Sequence, residues 1–192
     1  NIYEGEIIKN HINNNNIKNV TVINSCAVTA EAEKKVAYEI RKAKRTNPKN
    51  KIIVTGCAAQ IDPKKYHNLK EVDLVLGNKE KLLSDVWGNL NFSKPIQVDN
   101  ILSEKKTIPS TIEKFDGKSR AYIEIQQGCD HRCTFCIIPY GRGNNRSVPA
   151  GEIVERIKKI VSNGYKEVVL TGVDITDYGK DLPAQPTFSN LI

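Results

Sequence analysis

Residues 20–57 read VTVINSCAVTAEAEKKVAYEIRKAKRTNPKNKIIVTGC, and this stretch decides the fold. Val20-Thr21-Val22-Ile23 is a short β-branched run, the composition of a strand. From Ala30 to about Thr46, Ala32, Val36, Ile40 and Ala43 recur every three or four positions, which predicts a helix. Thr29 is placed to cap it, Glu31 and Glu33 sit in its first turn, and Arg41, Lys42, Lys44 and Arg45 crowd its last. That order complements the helix dipole. Pro48 stops it. Lys51 to Thr55 is a second strand, running into Gly56-Cys57. Working outward, Asp73 to Leu76 is a third strand, and Lys79 to about Leu90 a further helix. Strand, helix, strand, short helix, strand, helix is an α/β alternation and implies a parallel sheet.

Residues 93–118 change character. Ser93, Pro95, Ser103, Pro109, Ser110 and Gly117 break any period, which reads as a linker between domains. A new unit follows. Ala121 to Ile125 is a strand. A cysteine-rich loop comes next, and then a helix with Pro149 at its first turn. Ile153, Val154, Ile157, Ile160 and Val161 give that helix one apolar face, and Gly164 suits its end. Val168-Val169-Leu170 lies in another strand. The expected fold class is therefore α/β. A parallel-sheet domain spans 1–100, a linker 101–118, and a βαβ unit begins at 119. The cysteine loop falls at the C-terminal end of the unit's first strand, where α/β sheets bind ligands.

The chain has 192 residues, 39% hydrophobic and 27% charged, an ordinary globular composition that excludes collagen-like, mucin-like and wholly disordered chains. No run approaches the length of a membrane span, and no signal-peptide pattern opens the chain. Lys plus Arg exceed Asp plus Glu by 29 to 22, a net charge of +7. Basic excess favours a polyanionic partner such as RNA, but taken alone it is better explained by solubility and a Lys- and Asn-rich codon bias. There is no Met, and the last residues, Phe188 to Ile192, read as the start of an element. Both features mark the sequence as a fragment. The five cysteines are odd in number and lack a secretory signal, which argues for a reducing, cytoplasmic setting over a disulfide scaffold.

Cys129, Cys133 and Cys136 form C-x3-C-x2-C. Three thiolates this close can wrap one metal centre. A structural zinc site usually has four ligands, often in two C-x2-C pairs. Here the local set stops at three, and His131 is too tightly placed within the loop to join easily as a fourth. An iron–sulfur cubane normally takes four cysteines. Held by three, it keeps one iron open for a small molecule, and the amino and carboxylate groups of S-adenosylmethionine suit that position. Cys26 and Cys57 each follow a strand of the first domain, so a parallel sheet brings them together. A lone buried cysteine is usually a small core hydrophobe; two at equivalent strand ends are less easily explained that way. Arg142 and Arg146 are spaced either to present donors to phosphate or carboxylate, or to brace their loop by ion pairing. Asp174 either binds a ligand or caps a turn, and Gly172 allows close backbone approach.

Gly128-Cys129-Asp130-His131-Arg132-Cys133-Thr134-Phe135-Cys136 resembles the radical S-adenosylmethionine signature. Ile137 to Ser147 resembles its continuation in the methylthiotransferases that modify tRNA or a ribosomal protein. Residues 24–33 and 54–60 look like two of the three cysteine motifs in that family's N-terminal domain. Ala27-Val28-Thr29-Ala30-Glu31 and Ala58-Ala59-Gln60 resemble the branch acting on N6-threonylcarbamoyladenosine. The resemblance implies a radical SAM partial barrel begun by the βαβ unit, two [4Fe–4S] clusters and S-adenosylmethionine. One cluster would be held by Cys129, Cys133 and Cys136. The auxiliary cluster would take Cys26 and Cys57, with its third ligand upstream of Asn1. Phe135, Gly172 and Asp174 would contact S-adenosylmethionine, and Arg142 and Arg146 the substrate. It implies methylthiolation at adenine C2 beside the tRNA anticodon, with an electron-donor protein as partner and neither membrane nor DNA involved. No catalytic residue beyond the cluster ligands is called for. A fragment without the third ligand and the C-terminal RNA-binding domain is expected to be inactive by itself. The alternatives are another tRNA adenosine, a ribosomal protein, or a non-catalytic zinc module that binds nucleic acid.

Overall fold

The computed structural model of the chain describes residues 2–108, 112, 115, 117 and 119–192. Helix α1 (Ile2–Asn14) comes first, followed by β1 (Val20–Ser25), α2 (Ala30–Thr46), β2 (Lys51–Gly56), and the short helices α3 (Cys57–Ile61) and α4 (Pro63–His67). Next come β3 (Leu74–Leu76), a 3-10 turn at Glu80–Leu82, α5 (Ser84–Gly88), β4 (Ile96–Gln97) and a second 3-10 turn at Ile101–Ser103. The four strands form one parallel sheet in the order β1-β2-β3-β4.

Helix α2 starts and stops where its sequence dictates. The Thr29 side chain accepts from the Ala32 amide, and Asn47 closes the last turn through the Ala43 carbonyl. Val36 and Ile40 point inward and pack with Ile52, Val54 and Val75 on one face of the sheet. Ile8, Leu74, Leu76 and Trp87 fill the other face with Ile53. Burying such side chains stabilises the fold by roughly 1.5–3 kcal/mol each.

Three features depart from the sequence reading. The helix expected over Lys79–Leu90 is interrupted: Leu83 is extended (φ −88°, ψ 121°), and the Trp87 indole donates to the Lys81 carbonyl at 2.9 Å. The stretch read as linker supplies β4, whose Ile96 pairs with Val75. Further along it, Ile112 and Phe115 are buried in the second module's core, so this part packs rather than tethers. Pro109 and Ser110 lie outside the described residues. Helix α1 has no counterpart among the expected elements, yet it joins the two halves. Tyr3 and Ile7 pack into the second module's core while Ile8 packs into the first.

The second module comprises β5 (Ala121–Glu124), β6 (Gln126–Gln127), α6 (Ile138–Arg142), β7 (Arg146–Ser147), α7 (Ala150–Ser162), β8 (Val168–Thr171), a 3-10 turn at Ile175–Asp177, and α8 (Phe188–Leu191). Strands β5 and β8 are parallel, the expected βαβ unit. A small antiparallel pair, β6 with β7, closes the loop that carries the cysteines. Ile153 and Ile160 of α7 are buried, whereas Val154 and Val161 are exposed. No helix among the described residues is long and apolar enough to cross a membrane.

Candidate metal centres

The cysteine loop is anchored at both ends. At its start Gly128 has φ +75° and lies against the Asn144 carbonyl. The Cys129 amide donates to the Gly143 carbonyl at 3.0 Å, and the Cys136 amide to the Cys133 carbonyl at 3.0 Å. Asp130 accepts from the Asn145 amide at 2.9 Å, and Arg132 donates to the Cys129 carbonyl at 2.9 Å. The backbone is thereby folded back upon itself, and the thiols are left free. Cys133 is exposed, and Cys129 and Cys136 are half-buried. Phe135 stands almost wholly in solvent, 89% exposed.

The donor set distinguishes between metals. A single tetrahedral zinc ion with Zn–S bonds near 2.3 Å brings its sulfurs to roughly 4 Å from one another. Among the described residues, the three thiols do not form a group lying within 4.8 Å. Three thiols set this far apart suit a polynuclear centre better than a single zinc ion. The side chain that meets Cys129 is Asp174, 3.5 Å from the sulfur. Asp174 also accepts from the Thr176 hydroxyl at 2.6 Å. This hydrogen bond leads the effects that hold its carboxyl below the ordinary range. Burial raises the Cys129 thiol above its usual value, and the Asp174 contact adds to that. His131 is largely exposed and places Nε2 at 3.3 Å from Asp174 and 3.5 Å from Asp177, a bridge between two carboxylates.

Gln126 went unnoticed in the sequence. It is fully buried directly below the loop. Its amide nitrogen donates to the carbonyls of Gln127 and Gly128 and to the Asn145 side chain, at 3.2, 2.7 and 2.6 Å. Its oxygen accepts the amides of Val173 and Asp174, both at 2.8 Å. One side chain thus ties the cysteine loop to the end of β8. The space beside Gly172 is filled from within: a Cβ there would meet Ile175 at 2.8 Å and Gln126 at 2.9 Å.

The first module's cysteines are adjacent by register. Ser25 pairs with Gly56, so Cys26 and Cys57 follow neighbouring positions on parallel strands, whose spacing is about 4.8 Å. Gly56 is required there: it has φ +97°, and a Cβ would lie 2.2 Å from the Ser25 carbonyl oxygen. The Ser25 hydroxyl donates to the Thr55 carbonyl at 2.5 Å and accepts from the Ala59 amide at 3.1 Å. These are two of the three thiols the auxiliary cluster is expected to need.

The second module touches the first module's cysteine across the module boundary. Gly141 of α6 fits against Cys57, where a Cβ would be 3.0 Å from that of the cysteine. Asn78 donates to the Gly141 carbonyl at 2.5 Å and lies 3.7 Å from the Cys57 sulfur. Beside them is a buried charge cluster. Glu4 of α1 pairs with Lys81 at 3.0 Å and with Arg142, whose second nitrogen reaches it at 3.3 Å. Burial disfavours the Glu4 carboxylate, but Lys81 and Arg142 outweigh it and hold its pKa well below the usual range. Burial pulls Lys81 down. Burial, reinforced by the charge of Glu4, pushes Glu124 up to about 7. Arg146 is buried and donates to the carbonyls of Asn144 at 3.2 Å and Arg142 at 2.8 Å. Arg142 is thus ion-paired with Glu4 and Arg146 held by two carbonyls, and neither guanidinium projects into solvent. A cleft of about 550 Å³ lies between Gln60 of α3 and Ile137 and Tyr140, which follow Cys136 in the chain.

Comparison with known proteins accords with both modules. Residues 3–77 match the family described as uncharacterized protein family UPF0004, and residues 123–184 match the radical SAM superfamily. The threonylcarbamoyladenosine tRNA methylthiotransferase MtaB of Rickettsia prowazekii is 54% identical over 192 residues, covering 100% of this chain and 45% of the relative. Its namesake from Aquifex aeolicus is 43% identical over 166 residues, 84% of this chain and 40% of the relative. The tRNA-2-methylthio-N(6)-dimethylallyladenosine synthase of Desulfotalea psychrophila is 33% identical over 217 residues, 100% of this chain and 48% of the relative. The chain thus spans about half the length of the curated relatives it matches. Two adjoining modules, each with its cysteines at strand ends, and a likeness that runs through both of them have one explanation: the chain belongs to the radical S-adenosylmethionine methylthiotransferase family.

Proposed function

We propose that this chain is the sulfur-handling and radical-generating portion of a cytoplasmic enzyme that methylthiolates C2 of N6-threonylcarbamoyladenosine in the tRNA anticodon loop. Support for the substrate comes from the relatives at 54% and 43% identity, both named for that nucleoside. One observation carries the chemistry: Gly141, in the helix that follows Cys136, packs on Cys57, so the helix after the cysteine loop lies against the first module's cysteine.

In this reading Cys129, Cys133 and Cys136 hold a [4Fe–4S] cluster, and Cys26 and Cys57 contribute to a second. The first cluster supplies, when bound, the electron that cleaves the carbon–sulfur bond of S-adenosylmethionine. The protein's own part is positional. Gln126 fixes the loop against the end of β8, which sets Asp174 beside Cys129. Asp174, beside Cys129, would receive the amino group of S-adenosylmethionine, and Phe135 would contact the same cofactor. Glu4, Lys81 and Arg142 lock the modules together, keeping the site of hydrogen abstraction next to the site of sulfur delivery. An unstacked base can enter such a site only from a single-stranded loop. An electron-donor protein completes the reaction.

The test uses the full-length protein, reconstituted with iron and sulfide without oxygen. Iron and sulfide in excess of one four-iron cluster, with 5′-deoxyadenosine formed from S-adenosylmethionine and lost on Cys129→Ala, support this reading. Stoichiometric zinc without sulfide, and no cleavage, would replace it with a structural zinc module.

A further inference from the structure

The outer face of α2 takes no part in the centres described above. From Lys34 onward, Lys34, Lys35, Tyr38, Arg41, Lys42 and Arg45 are all exposed. At 100° per residue they fall within an arc of about 120°. No acid lies in that arc between Lys34 and Arg45. Of the carboxylates nearest in sequence, Glu33 pairs with Lys65 at 2.5 Å and Glu39 lies outside the arc, while Glu31 lies in it about one turn before Lys34 and Lys35, at the start of the helix. Lys44, off the arc, is 3.5 Å from Asp73. Among the described residues none of the five cations on the face is held in an ion pair. Tyr38, 54% exposed, stands in their midst. Behind the row is a cleft of about 500 Å³, with Lys34, Tyr38, Arg41 and Arg45 on one side and Glu71 on the other.

A face of five unpaired cations repels itself, a cost that a helix with no partner could remove by alternating charges. The cations are also not serving the fold, because the buried side of α2, through Val36 and Ile40, carries the packing. A row of basic groups with one aromatic among them is complementary to a phosphodiester chain with unstacked bases. The face lacks the bulky apolar residues that a membrane-surface helix presents. Its direction matters too. The helix is capped by Thr29, three residues beyond Cys26, so one end is fixed at the auxiliary site. From there the cations extend outward over about 16 Å along the helix axis.

We infer that this face of α2 is an RNA-docking surface: Lys34, Lys35, Arg41, Lys42 and Arg45 engage backbone phosphates, and Tyr38 stacks on a base or ribose flanking the modified nucleotide. The inference rests on tRNA being the substrate. It adds a contact surface in the first module itself, separate from any RNA-binding domain elsewhere in the full-length protein. Phosphate contacts of this kind set affinity and register without reading sequence.

The experiment measures tRNA binding to the full-length, iron-loaded protein by fluorescence anisotropy across a salt series. The variant replaces Lys34, Lys35, Arg41, Lys42 and Arg45 with Gln. Its Kd should rise at least tenfold near 0.1 M salt. The slope of log K against log salt should flatten by about 3.5–4.5, since each of the five phosphate contacts contributes roughly 0.7–0.9. Tyr38→Ala should weaken binding several-fold with no change in slope. Iron content and RNA-independent cleavage of S-adenosylmethionine should remain at parental levels in both. Arg41→Glu alone, the mildest change to the fold, should reproduce the loss in part. If the parent methylthiolates tRNA and the fivefold variant keeps parental Kd and slope, this inference is overturned and the substrate reading stands. If the parent binds no tRNA and acts on a ribosomal protein, both fall. If the variant loses affinity for anionic vesicles but keeps its affinity for tRNA, the face belongs to a membrane and the inference is again overturned.

Discussion

A methyl group on Gly128 would lie 1.9 Å from the Asn144 carbonyl oxygen, at a backbone φ of +75°. Both the contact and the dihedral exclude other residues. Gly128→Ala should therefore displace the loop start and with it Cys129. The expected result is at least a severalfold loss of iron from the Cys129 site, read by iron analysis, with the first module's fold retained. Glu124 offers a test of a different kind. Its carboxyl titrates near 7 in the folded chain, against an ordinary value of 4.5. Between those values the folded protein holds a proton that the unfolded chain has released. Stability from this group is thus full below about 4.5 and declines as pH rises towards 7. Glu124→Gln should flatten the dependence of apparent Tm on pH across that window, and an unchanged slope would refute the assignment. Residues of this kind were hard to see in the sequence. Nothing local marks Gln126 or Glu124 as buried, because burial here comes from α1 and the β8 turn, which are remote in the chain.

At the scale of elements, what could be read and what could not have physical causes. Strands β1 and β2 and helix α2 are periodic, capped and bounded by Pro48 and Gly56, so local chemistry fixes them nearly to the residue. The cysteines at their ends follow from that. Helix α1 is rich in Asn and only weakly amphipathic, and its role depends on neighbours from both modules. Its buried Tyr3, Ile7 and Ile8 are legible only once both modules are in place. β4 is two residues long and survives by pairing with β3, a context that no window of sequence contains. The arginines are similar. Their spacing suggested ligand binding as readily as bracing, and only the position of Glu4, far away in the chain, decides for bracing at Arg142. Removing one member of a buried ion cluster leaves the others uncompensated, at a cost of roughly 3–5 kcal/mol. Arg142→Met should lower the apparent Tm markedly. It should also raise hydrogen exchange at both α1 and α6, because the pair spans the two. Glu4→Gln combined with Arg142→Met should cost less than the sum of the two single changes.

For the whole molecule, the modules are assembled so that α3 of one and α6 of the other touch at Cys57 and Gly141. The fold therefore does more than carry two sets of thiols; it packs the helix that follows one set against a cysteine of the other, and a cleft opens between α3 and α6. A zinc-bearing binding module has no need of that apposition, whereas an enzyme that abstracts hydrogen at one centre and delivers sulfur from another depends on it. This account makes its most exposed claim at the level of the product. The direct measurement is mass spectrometry of tRNA nucleosides from a host lacking the modification and expressing the full-length protein. The 2-methylthio form of threonylcarbamoyladenosine should appear, and it should vanish with Cys129→Ala. A full complement of iron-loaded protein with no methylthio nucleoside in the tRNA would contradict the account.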